Sequence, residues 1–122
     1  MQDDPRRSVR AHVQQRHQLD LSRECAAAGF TLPVTISVHA WLACGSPRPD
    51  LDWPGAGVLS EDILAALRNQ ITRATPRMLS ERVLPFGFLP DYDAEMVELL
   101  CVYDDRHTTA QLLLLAPVPV AM

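Results

Sequence analysis

The chain has 122 residues, 48% of them apolar and 21% charged, with a formal net charge of −4. Those proportions describe one globular domain that can bury its own core, and they exclude a globally disordered chain or a scaffold that depends on disulfides. Every basic side chain is arginine, which also excludes a Schiff-base lysine, a P-loop lysine and a lysine general base.

Charge is unevenly placed. Residues 1–23 hold five Arg and three Asp, residues 24–82 five Arg and six acids, and residues 83–122 Arg106 against six acids. A mildly basic head is therefore followed by a strongly acidic C-terminal third. Residues 1–18 contain "RRSVRAHVQQRHQ", whose large apolar residues are Val9 and Val13 alone. So narrow a stripe predicts a flexible or weakly docked N-terminal segment, with a single domain over 19–122.

In "LDLSRECAAAGF", Asp20 or Ser22 is a candidate cap for a short helix, Gly29 suits the left-handed position after it, and Phe30 folds back onto the apolar side. "TLPVTI" reads as a strand, with Pro33 implying an edge or a bulge. "SVHAWLACG" fits either an extension of that strand or a short helix capped by Ser37 and stopped at Gly45; the spacing of Trp41 and Cys44 favours one helical face. "SPRPDLDWPGAG" is a loop with Trp53 as its local anchor. In "SEDILAALRNQITRA", Ser60 is the expected N-cap, Ile63, Leu64, Leu67 and Ile71 the buried face, and Thr75–Pro76 the stop. "EMVELLCVYDD" and "TAQLLLLAP" read as two strands joined through "RHT" into a hairpin whose faces are both largely covered. The fold class expected is α+β: a small antiparallel or mixed sheet with a C-terminal β-hairpin, packed on two or three helices.

"MQDDPRRSVR" has no apolar signal region, and "LLLLAPVPVAM" is too short and too proline-rich to span a bilayer. Cys25, Cys44 and Cys101 stand apart in apolar surroundings, as packed thiols of a reducing compartment do. A cytoplasmic protein with no membrane partner is expected.

The stretch "FGFLPDYDAEMVELLCVYDD" carries Asp91, Asp93, Glu95, Glu98, Asp104 and Asp105 and no base, and is the first candidate for chemistry. The alternation of Asp91, Asp93 and Glu95 resembles a calcium loop, but Met96 and Val102 occupy the positions where an EF-hand needs Gly and Glu. Pro90–Asp91 followed by Glu98 starts a nuclease pattern that a chain without lysine cannot complete. Paired carboxylates for acid–base work are not specified by this spacing; a solvated rim is the simpler reading. His12, His17, His39 and His107 form no local ligand pair with the cysteines, so no metal or other cofactor is expected. A spatially assembled site of Cys44 or Cys101 with His107 and carboxylates is the enzyme alternative. Arg6, Arg7, Arg10 and Arg16 are the alternative contacts for nucleic acid, without aromatics for base stacking. The acidic stretch itself suits a surface for a basic partner, with Asp91, Tyr92, Asp93, Glu95, Glu98, Asp104 and Asp105 as the partner-binding set and Phe86, Phe88, Tyr92 and Tyr103 as candidate apolar anchors; the alternative is that these aromatics are core and the acids serve solubility.

The run "AAAGFTLPVTISVHAWLACG", with the central helix and "VELLCVYDDRHTTAQLLLLAP", resembles an uncharacterised small bacterial family carried on plasmids and other mobile elements, over about residues 20–117. The likeness lies in packing motifs and transfers no catalytic residue; the hairpin turn departs from it in being poor in glycine. It implies a helix over 37–44 and, by analogy, an anti-defence role such as that of anti-CRISPR proteins, which block host complexes. The function expected is a non-enzymatic protein-binding module, an acidic-surface inhibitor of a basic protein or ribonucleoprotein complex.

Overall fold

A computed structural model describes residues 18–77, 82–91, 93–105 and 110–116. The elements run β1 (Gln18–Asp20), α1 (Ser22–Ala27), β2 (Val34–Ser37), α2 (Val38–Ala43), α3 (Ala56–Arg73), β3 (Val83–Phe88), β4 (Val97–Asp104) and β5 (Gln111–Leu115). The strands form one five-stranded mixed sheet in the order β1-β2-β5-β4-β3. β2 and β5 are parallel, and the other neighbours are antiparallel. The fold is α+β, with the C-terminal strands as a hairpin-like pair and the three helices against the sheet.

Side-chain alternation assigns the two faces of the sheet. Val34, Ile36, Leu84, Phe86, Phe88, Leu99, Cys101 and Leu114 join the helix residues Cys25, Trp41, Ile63, Leu64 and Leu67 in the main core. The intervening residues Leu113, Leu115 and Val102, with Val83 and Leu100 against them, make a smaller cluster on the opposite face. Both faces of the hairpin are thus apolar, as the unbroken leucine run implied.

Local chemistry sets the helix ends. Asp20 begins α1 from two residues upstream: its carboxylate accepts the Ser22 N–H at 2.9 Å and also the Ser22 hydroxyl. After α1, Gly29 takes φ +86, and its N–H and that of Phe30 donate to Ala26 and Cys25 carbonyls at 3.3 and 3.0 Å, a Schellman stop. Ser37 ends β2 and caps α2, its Oγ accepting the Ala40 N–H at 3.1 Å. The segment left open between strand and helix is therefore helical from Val38 to Ala43. Gly45, at φ +101, closes α2 by the same stop, with N–H donors of Gly45 and Ser46 on Leu42 and Trp41.

Two expectations are corrected and one strand is added. Pro33 does not mark an edge: β2 lies inside the sheet, and Pro33 stands just before it, offering its carbonyl to the Leu112 N–H at 2.9 Å. Proline supplies that carbonyl and has no N–H to give, which suits a place just outside the strand. Ser60 is no N-cap: α3 begins four residues earlier at Ala56, and the Ser60 hydroxyl donates back to the Ala56 carbonyl at 2.8 Å from inside the helix. The added strand is β3, in a stretch where charge hides the apolar alternation. Its alternating Leu84, Phe86 and Phe88 are buried while Pro85 and Gly87 are exposed. The Tyr103 N–H donates to the Arg82 carbonyl at 2.9 Å, and hydrogen-bonded pairs recur at every second residue. Pro85 thus falls where an N–H would point away from β4, towards the outer side of the edge strand, the place a sheet tolerates proline.

The loop between α2 and α3 is folded around Asp50. Its carboxylate accepts the Asp52 N–H at 3.0 Å and pairs with Arg48 at 3.1 Å. Trp53 anchors the loop as expected, its ring 6.1 Å from that of the fully buried Trp41. The expected N-terminal segment, apart from residue 18, and the hairpin turn at 106–109 lie outside the described residues.

Candidate functional site

The acidic residues are sorted by β4 and the loop that leads into it. Between β3 and β4 the chain makes a turn in which the Ala94 N–H donates to the Asp91 carbonyl at 3.1 Å. Asp91, Asp93 and Glu95 are exposed on that loop, and Glu98 is exposed one residue into β4. Between Leu89 and Glu98 there are four acids and no base.

The last two acids behave differently. Asp104 is 5% exposed, opposite Gln111 on the face that carries Leu100 and Val102. It is therefore no part of an exposed acidic face. Asp105 is exposed but paired, its Oδ2 2.7 Å from Nη1 of Arg82. The Arg82 guanidinium also lies 5.5 Å from the centre of the Tyr103 ring. Tyr92 lies outside the described residues. Of the two readings of Phe86 and Phe88, apolar anchors or core, the structure gives core: both are 5% exposed, and alternation along β3 sends them under α3.

Sequence reasoning missed the apolar neighbour of these acids. A groove of about 360 Å³ is lined by Gln70 of α3, Pro85 and Gly87 of β3, Met96 just before β4, and Glu98 and Leu100 within it, together with their chain neighbours Phe86 and Leu99. Met96 is 58% exposed, and its Sδ would lie 2.7 Å from a Cβ placed on Gly87. The absence of a side chain at Gly87 is what lets Met96 lie there. The signal available in sequence was the alternation of buried Leu84, Phe86 and Phe88 with Pro85 and Gly87, which makes the chain a strand with one bare side.

The thiols give no activated nucleophile. Burial pushes Cys44 and Cys101 up to about 12 and is the largest cause of the rise of Cys25 to about 11, so all three are protonated at neutral pH. His107 lies outside the described residues, as do His12, His17 and the N-terminal arginines; His39 is exposed. Among the described residues no three His, Cys, Asp or Glu side chains are grouped to hold a metal ion, and no helix is long and apolar enough to cross a membrane.

Comparison of the chain with family models, characterised proteins and solved structures gives no match.

Proposed function

We propose that this domain is a non-enzymatic binding module whose acidic surface meets a basic surface of a protein or ribonucleoprotein complex, in the manner of an anti-CRISPR-like inhibitor carried by a mobile element. The observation that carries the reading is the exposed run Asp91, Asp93, Glu95 and Glu98, in a segment that holds no base of its own. Three arginines are committed elsewhere: Arg48 to Asp50, Arg82 to Asp105 and Arg68 to the Ala28 carbonyl at 3.0 Å. Concentrated charge of one sign steers a partner of the other sign and selects against acidic competitors. The three buried, protonated cysteines agree with a protein that works by contact.

The test is capture from a nuclease-treated bacterial lysate, at low and moderate salt, by the wild-type chain and by a variant carrying D91N, D93N, E95Q and E98Q. The expected result is a defined basic partner held by the wild type, released by salt and lost in the variant, while the two proteins melt alike. Equal capture by both would overturn the reading.

A further inference from the structure

We infer that the groove beside Glu98 receives one arginine or lysine side chain of that basic partner, and so sets where on the acidic surface the partner is anchored. The inference rests on the binding-module reading and adds a location and a chemistry to it.

The shape comes first. At about 360 Å³ the groove is at the small end of ligand sites, which run from about 300 to 1,000 Å³. It is too small for a docked helix or strand, and ample for one long side chain with its water. Its apolar surface comes from Pro85, Met96 and Leu100, and a thioether adapts its shape to whatever lies against it. Arginine and lysine have the matching form: an aliphatic stem that packs on apolar surface and a charged head that stays near water.

The charge decides between guests. Among the described residues that line the groove, Glu98 alone is charged, and the Gln70 amide offers a second polar contact. Asp91, Asp93 and Glu95 precede it in the loop, and no Arg, Lys or His occurs anywhere from residue 83 to residue 105. An anionic guest is repelled by this field. A neutral apolar guest would gain the stem contacts and forgo the carboxylate, whereas a cation gains both. Outer-edge strand pairing is a poorer use of the same place, because Pro85 removes a donor from the middle of β3.

The probe is the blocked peptide Ac-Ala-Arg-Ala-Arg-Ala-amide, titrated into the full 15N-labelled chain, with its citrulline counterpart as the uncharged control. Saturable shifts at Gly87, Met96, Glu98 and Leu100 are expected with the arginine peptide and not with citrulline. Glu98→Gln should weaken the binding about tenfold, the size of one charge-assisted hydrogen bond. Gly87→Leu, which fills the groove and displaces Met96, should abolish the groove shifts while leaving residues 91–95 responsive. Should Gly87→Leu fail to fold, the near-isosteric and exposed Glu98→Gln decides alone. Shifts confined to residues 91–95 would overturn the groove and leave the acidic-surface reading standing. Equal binding of the citrulline peptide would overturn the cation. No shifts at all would overturn the groove, and the lysate capture would then judge the surface separately.

Discussion

The indole N–H groups of Trp41 and Trp53 converge on a single acceptor, the main-chain carbonyl of Asp50, at 3.0 and 3.1 Å. One tryptophan comes from a helix at the centre of the core and the other from the loop, so this shared oxygen fastens the loop to the domain. A carbonyl has two lone pairs, and both are used here. Trp53→Phe removes one donor and keeps most of the packing; it should cost about 1 kcal/mol in urea unfolding. Trp41→Ala should cost about 3–5 kcal/mol, because the fully buried ring leaves a cavity. A smaller loss for Trp41→Ala than for Trp53→Phe would contradict this division of roles.

Two serines with similar sequence contexts should differ in weight. Ser37 satisfies a free N–H at the start of α2, so Ser37→Ala should lower stability by about 1 kcal/mol. Ser60 bonds a carbonyl of its own helix, so Ser60→Ala should change stability by no more than about 0.5 kcal/mol. Chemical denaturation of the pair measures the contrast directly, and reversal of the order would place the caps wrongly.

The buried thiols make the domain sensitive to alkali. Each folded thiol keeps a proton that the unfolded chain releases near the ordinary value of 9.0. This stabilisation is complete below pH 9 and is lost as the pH climbs towards the folded values of about 11 and 12. The slope is at most about 1.4 kcal/mol per pH unit for each thiol. Urea midpoints should fall between pH 9 and pH 11, and fall less steeply in Cys101→Ala. Asp50 has the opposite sign: the Asp52 N–H, and after it Arg48, hold its carboxyl below the usual range. Its contribution is present above the unfolded carboxyl value and disappears as pH drops through the lower folded one, so Asp50→Asn should flatten the acid limb of the same curve.

Arg82 is held at φ +62, the left-handed region that glycine occupies freely, while its side chain reaches Asp105 and Tyr103. Arg82→Ala keeps the backbone strain and forfeits both contacts, and should cost about 1–2 kcal/mol. Arg82→Gly relieves the strain and should melt closer to the wild type. Differential scanning calorimetry of the two variants ranks them, and an alanine variant more stable than the glycine one would refute the account.

Much of the fold was legible because its signals are local. Gly29 and Gly45 end helices by backbone geometry alone, and the leucine-rich hairpin announces burial on two faces. β1 was illegible because three residues become a strand only by pairing with β2. The start of α3 was missed because Gly55 caps it with no side chain, while Ser60, followed by two acids, imitates a cap. In the candidate site the charge excess could be counted from the sequence. Which carboxylates face solvent could not, since the burial of Asp104 follows from its register with Gln111, and the pairing of Asp105 depends on Arg82, which arrives just ahead of β3. The groove was equally hidden, being made where Met96, just ahead of β4, lies against Gly87 of β3.

Among the described residues the last strand, β5, sits in the middle of the sheet, between β2 and β4. During synthesis, β1 and β2 on one side and β3 and β4 on the other therefore emerge as two halves with no seam between them. Only when residues 111–115 have left the ribosome can a strand slide between the halves and join them, so the native sheet is completed by its last-made described strand, and a nascent chain stalled before Leu112 exposes two unfinished edges to whatever meets it first.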